Sequence, residues 1–212
     1  MTEAPDPIGL FREWAALAAR HPGIVEPDAA ALATVDSEGN PSVRVVLVRS
    51  ADERGFVFYT NLDSRKGREL LGRGRGGGRP RGAGAAGGGG APAALCFWWP
   101  QLTKQVRVEG RATLVSDAEA DAYWATRARD SQVGAWASRQ SAELTLGREE
   151  LTAKFDELAA SFPEHVPRPR FWSGFRIEPQ RIEFWEARPH RLHHRVLYAR
   201  EGRGWATKIL SP

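Results

Sequence analysis

The sequence predicts an α+β domain in which helices surround an antiparallel, barrel-like sheet. Short alternating apolar runs recur between turn residues, and helices interrupt them without a βαβ rhythm. Neither a GxGxxG fingerprint after a strand nor a Walker loop is present, which argues against a doubly wound nucleotide fold. At 212 residues the chain suits a single domain, 1–212, with ample core.

A first helix is predicted over 7–20 and a first strand over 30–35. Asp36-Ser-Glu-Gly-Asn40 is a hairpin turn signal, and the next strand, 42–48, alternates with Arg44 set inside it. Residues 51–55 turn again into a strand at 56–60. A second helix starts at Ser64 and runs through Leu71. Strands are predicted at 94–98 and 105–115, the latter with Gln105, Arg107, Glu109 and Arg111 on its polar face. Ser116 followed by Glu119 fits a capping box opening a third helix toward Arg127. A fourth helix, 148–162, sets Leu151, Phe155, Leu158 and Phe162 on one stripe, read as core rather than a groove. Strands at 174–177, 181–185 and 195–200, then a short one ending at Leu210, complete the chain.

The formal charge of +4 invites a nucleic-acid reading, but its location decides otherwise. Residues 72–92, GRGRGGGRPRGAGAAGGGGAP, hold eleven of the 22 glycines and four arginines with no acidic residue, so the rest of the chain is neutral. Such a tract cannot offset its ordering entropy and reads as a disordered loop insertion. An RNA tether is the less favoured alternative, because the tract has no aromatic residue to stack on bases. Cys96 is the single cysteine, which excludes an internal disulfide. With no signal-peptide pattern and no bilayer-length apolar run, the expected location is the cytoplasm.

Three anion-binding clusters carry the chemistry. Ser64-Arg65-Lys66 sits at a helix start, where free amides and the helix dipole favour a phosphate; the alternative is a solvated basic helix end. Tyr123, Arg127 and Ser131 recur every four residues, so one persistent helix face could grip a second phosphate or simply face water. Arg191, His193 and Arg195 share period two and would face one side of a strand, around an anion or in a solvated hairpin. A metal site at His190, His193 and His194 is disfavoured because the neighbouring arginines repel a cation, and no metal is expected.

Arg44-Val45-Val46-Leu47, Phe58-Tyr59-Thr60, Ser64-Arg65-Lys66, Gln105-Val106, Arg129-Asp130-Ser131-Gln132, Gly134-Ala135-Trp136, Arg139-Gln140-Ser141, Phe184-Trp185 and Arg191-Leu192-His193 occur in that order. Together they resemble the pyridoxamine 5′-phosphate oxidase family from about Pro7 to Pro212, broken only by the glycine-rich insertion. The resemblance implies a split β-barrel homodimer with FMN in clefts at the subunit interface. It implies oxidation of pyridoxamine or pyridoxine 5′-phosphate to pyridoxal 5′-phosphate, with dioxygen reduced to hydrogen peroxide.

On that pattern Arg44, Ser64, Arg65 and Lys66 hold the flavin phosphate. Val45, Val46, Leu47, Tyr59, Thr60 and Gln105 line the flavin, and Gln140, Ser141, Trp185 and Arg195 complete the site, some from the second subunit. A flavin phosphate would also account for an arginine inside a strand. Tyr123, Arg127 and Ser131 take the substrate phosphate, with Arg49 standing where the family usually has lysine. Arg191 and His193 face the pyridine ring and are the expected catalytic residues. Alternatives are a flavin oxidase acting on another reduced ring, as in phenazine assembly, or a flavin-binding protein without turnover. An unphosphorylated ring would have no use for the Tyr123 cluster.

Overall fold

The computed structural model describes residues 6–73, 89–144 and 147–212. Helix α1 (Pro7–Arg20) begins with Asp6 accepting from the Gly9 amide at 2.8 Å and with a proline in its first turn, both favourable at a helix start. Strands β1 (Ala29–Val35), β2 (Pro41–Asp52) and β3 (Gly55–Asn61) form a meander. Gly55 has φ +130°, and a Cβ there would lie 2.1 Å from the Ile177 carbonyl, so only glycine turns this corner. The short helix α2 (Arg65–Leu70) follows, capped by Ser64.

Most of the Gly/Arg-rich stretch, residues 74–88, lies outside the described residues. At its edge, Ala91 and Pro92 already belong to β4 (Ala91–Trp99), which starts three residues earlier than predicted. Strand β5 (Lys104–Leu114) pairs with β4 along its length.

Two predicted elements are corrected. The third helix does not persist: α3 (Asp117–Ala125) ends, and after Thr126–Ala128 a separate α4 (Arg129–Ala137) begins. The two strands expected at 174–177 and 181–185 are one, β6 (Trp172–Glu186). Pro179 sits inside this strand opposite Gly110, where the register with β5 shifts, a bulge that tolerates a residue without an N–H donor. A Cβ on Gly110 would come within 2.0 Å of the Glu178 carbonyl, so the bulge requires glycine. Helix α5 (Arg148–Ser161) precedes β6, and β7 (His194–Glu201) and β8 (Gly204–Ile209) follow it.

The sheet order is β3-β2-β1-β4-β5-β6-β7-β8, and β3 also pairs with β6, so β1–β6 close into an antiparallel barrel with β7 and β8 extending from it. The barrel is filled by inward residues such as Leu32, Phe56, Phe58, Leu95, Val106, Ile177 and Phe184, each side chain contributing about 1.5–3 kcal/mol by leaving water. Phe11 of α1 plugs one end, with ring centroids 4.8 Å from Phe97 and 4.9 Å from Phe56. A second cluster of Trp124, Val133, Val166 and Trp172 packs beneath α3–α5, and Phe155, Leu158 and Phe162 of the predicted stripe join it. No helix among the described residues is long and apolar enough to cross a membrane.

Among the described residues, the outer face of β2-β1-β4 is apolar and partly exposed. Register places Val43 opposite Ala33 and Ala94, and Val45 opposite Ala31 and Cys96. Val43 and Val45 are each 66% exposed and Trp98 is 49% exposed. Contiguous exposed apolar surface of this kind marks an interaction face.

Candidate functional site

A cleft of about 960 Å³ opens between β2, β3, the start of α2 and the α3–α4 segment. One end is basic. The Ser64 hydroxyl, fully buried, caps α2 by accepting from the Gly67 amide, and this turn presents Arg65 and Lys66 to the cleft. Gly67 has no room for a side chain, since a Cβ would lie 2.4 Å from the Leu62 carbonyl. The Lys66 ammonium donates to Gln140 Oε1 at 3.0 Å and to Ser64 Oγ at 3.4 Å. Burial, reinforced by the nearby Arg44 charge, pulls its pKa from 10.5 down to about 8. Thr60 also donates to Gln140 Oε1, and Ser141, in the left-handed region at φ +71°, accepts from the Arg65 amide.

Arg44 has an anion inside the chain, contrary to the expectation that a bound phosphate alone explains its burial. Its guanidinium lies 3.3 Å from Glu69 and donates to Thr34 and Ser42. Arg65 donates to the other Glu69 oxygen at 2.8 Å. Burial opposes ionisation of Glu69, yet hydrogen bonds from Thr34, Ser42 and Arg65 hold its carboxyl below the usual range. One buried carboxylate thus orients two arginines that line the cleft. The i, i+4 spacing of Arg65 and Glu69 was a legible signal for half of this network.

The opposite end gathers Arg49, Tyr123, Arg127 and Ser131. The helical-face reason given for the last three fails, because Arg127 sits in the break between α3 and α4, but the break itself brings them together. Arg127 Nη2 donates to the Ser131 carbonyl at 2.8 Å. Arg49 pairs with Asp28 at 2.5 Å. An aromatic stack forms the wall: the Tyr59 ring lies 3.9 Å from Tyr123 and 5.4 Å from Trp172. Burial raises the Tyr59 pKa, so its hydroxyl stays protonated.

Val45, Val46, Leu47 and Thr60 line the same cleft, as do Ser42, Asn61, Ser138 and Trp172, which sequence reasoning did not single out. Ser42 shares a strand face with Arg44 and could have been found by period two. Trp172 carried no local signal.

Gln105, Trp185, Arg191, His193 and Arg195 do not line this cleft. Register aligns Trp98, Gln105, Trp185 and Arg195 across β4–β7, on the sheet face that continues from β2 through β1. The Trp185 ring lies 4.6 Å from the His193 imidazole, and Arg195 donates to the buried Glu183 at 2.8 Å. The period-two grouping of Arg191, His193 and Arg195 is corrected: Pro189–Arg191 is a 3₁₀ turn with left-handed His190 and Arg191, and β7 begins only at His194. His193 Nδ1 accepts from the Arg188 amide at 3.3 Å. One chain therefore carries two separate groups of the expected site residues.

The sequence profile of the family described as pyridoxamine 5′-phosphate oxidase matches residues 18–162, and that of a pyridoxine 5′-phosphate oxidase C-terminal dimerisation region matches residues 172–212. The chain belongs to the pyridoxamine 5′-phosphate oxidase family. Within the family it is 52% identical to a pyridoxine/pyridoxamine 5′-phosphate oxidase of Anaeromyxobacter dehalogenans, covering 99% of this chain and 96% of that protein. It is 50% identical to one of Myxococcus xanthus, over 98% and 92% respectively.

Among solved structures, PhzG of Burkholderia lata, in complex with tetrahydrophenazine-1-carboxylic acid, matches with a TM-score of 0.82 at 37% identity, covering 98% of this chain and 93% of that one. An FMN-binding protein of Nostoc punctiforme related to the family shares the fold, with a TM-score of 0.74 at 19% identity over the whole of both chains. The antiparallel barrel with surrounding helices is thus the family's split-barrel fold.

Proposed function

We propose that this protein is an FMN-dependent oxidase that converts pyridoxamine or pyridoxine 5′-phosphate to pyridoxal 5′-phosphate, reducing dioxygen to hydrogen peroxide. The observation that carries the proposal is a single cleft with a cationic group at each end, as a phosphorylated cofactor and a phosphorylated substrate side by side require. The residues present fit FMN and a second phosphate: among the described residues Lys66, at the flavin end, is a buried ammonium hydrogen-bonded only to neutral partners, and Arg127 Nε, at the substrate end, is buried without a partner. Each lacks an anion that a phosphate would supply.

In this reading Arg44, Arg65, Lys66 and Ser141 hold the flavin phosphate, with Ser64 setting the turn. Gln140 and Thr60 form a polar edge, and Val45, Val46, Leu47 and Tyr59 flank the ring system. Arg49, Tyr123, Arg127 and Ser131 grip the substrate phosphate and fix its reacting carbon. A bound flavin would supply the redox capacity for oxidising the substrate and reducing dioxygen. The chain's own contribution is alignment, exclusion of water by the aromatic wall, and charge placed where the substrate changes.

Arg191 and His193, the proposed catalytic residues, together with Gln105, Trp185 and Arg195, would act on the cleft of a second copy. A homodimer built on the partly exposed β2-β1-β4 face brings the two groups together and buries Val43, Val45 and Trp98. A cytoplasmic location accords with the free thiol of Cys96.

The likeness to PhzG supports a second reading, in which the ring is a reduced tricycle. The two readings separate on phosphate. Holoenzyme offered pyridoxine 5′-phosphate and unphosphorylated pyridoxine should oxidise the former with kcat/KM at least a hundredfold higher. Equal values would mean that the Arg127 end serves no phosphate.

A further inference from the structure

Trp172 belongs to the aromatic wall of the cleft, yet the sequence motifs do not include it and no role above touches its contact with Arg127. The residue is 3% exposed at the start of β6, and its ring lies beneath Arg127, whose guanidinium carbon is 4.9 Å from the ring centroid and 5.4 Å from that of Trp124. No carboxylate among the described residues pairs with Arg127; the charged or ionisable groups acting on it are Tyr123 and Arg49. The Trp172 ring is also parallel to Tyr123, at 4° and 6.2 Å, and both are stacked with Tyr59. Backbone bonds fix it in turn, with Arg168 donating to its carbonyl at 2.9 Å and its amide donating to the Pro169 carbonyl.

Resting on the functional reading above, we propose that Trp172 is a positioning residue that sets the enzyme's preference for a phosphorylated substrate, by holding Arg127 and Tyr123 aimed at the phosphate. The physical reason is that an arginine without a carboxylate must be oriented by something other than an ion pair. A carboxylate there would compete with the phosphate. Two indole faces attract the guanidinium through their quadrupoles without neutralising it, so its charge stays available to an incoming anion while Nη2 is held by the Ser131 carbonyl. The orphaned Arg127 Nε is what such a platform leaves behind.

The test uses FMN-loaded wild type, Trp172→Phe and Trp172→Leu, titrated calorimetrically with pyridoxal 5′-phosphate and with unphosphorylated pyridoxal. Trp172→Leu should lose about thirtyfold in affinity for the phosphorylated ligand and change less than twofold for the other, with Trp172→Phe between it and wild type. A merely structural role would weaken both ligands alike, and that result, or no change in either, overturns the proposal. Should the leucine variant fail to fold, the phenylalanine variant decides: a severalfold loss confined to the phosphorylated ligand supports the proposal, and unaltered binding overturns it. Wild type that binds no pyridoxal 5′-phosphate overturns the functional reading and this inference with it.

Discussion

Lys66 makes FMN binding a proton-linked event, and its size follows from its surroundings. In the free protein the ammonium is buried beside Arg44 with a pKa of about 8, against 10.5 for an ordinary lysine. A phosphate placed against it restores the charged form and returns the pKa to at least the ordinary value. Binding at pH 9 must then take up nearly one proton, and affinity should fall about tenfold between pH 7 and pH 9, equivalent to about 1.4 kcal/mol. The phosphate does not contribute in this range, since its own second ionisation is complete above about pH 7. Stability of the free protein runs the other way. Between pH 8 and 10.5 the unfolded chain binds more protons, so the cost of burying Lys66 is full below pH 8 and is relieved as pH rises. The assay is quenching of FMN fluorescence by free protein at fixed ionic strength from pH 7 to pH 9. Lys66→Arg, whose charge does not titrate there, should flatten the profile. A pH profile identical in wild type and Lys66→Arg would refute the reasoning.

Other consequences are equally direct. Glu69→Ala leaves Arg44 without its buried partner and should cost about 3–5 kcal/mol in urea unfolding of the free protein; a loss below about 1 kcal/mol would show that Thr34 and Ser42 suffice. Arg65→Ala should weaken FMN retention, whereas Arg191→Ala and His193→Ala should cut turnover with flavin still bound; equal flavin loss in all three would contradict that division of labour. Val45→Asp places a charge on the proposed dimer face and should give a monomer by light scattering, with turnover lost; an active monomer would locate the interface elsewhere.

Period-two alternation made the barrel legible, because each strand buries one face and any slip would expose it. The break at Arg127 was not legible, since the polar run from Ala125 to Ser131 has no apolar period to interrupt. The continuity of β6 was hidden for a related reason: it runs through a bulge opposite Gly110 that only the pairing with β5 reveals. Arg44 was noticed for the right reason, the cost of an unpaired buried charge, but its partner Glu69 lies 25 residues on and only the closed barrel brings them together. Arg191 ends a 3₁₀ turn in the left-handed region and His193 lies between that turn and β7, which their spacing, compatible with a strand, concealed. The anion clusters at the two ends of the cleft were readable as residue types; their meeting in one cleft was not.

The most direct measurement is oxygen consumption by the FMN-loaded protein supplied with pyridoxine 5′-phosphate, with pyridoxal 5′-phosphate and hydrogen peroxide followed together. Aldehyde and peroxide formed one for one with the oxygen consumed is the predicted result. A yellow, flavin-loaded protein that forms neither would contradict the proposed reaction and leave the Arg127 end of the cleft in need of another ligand.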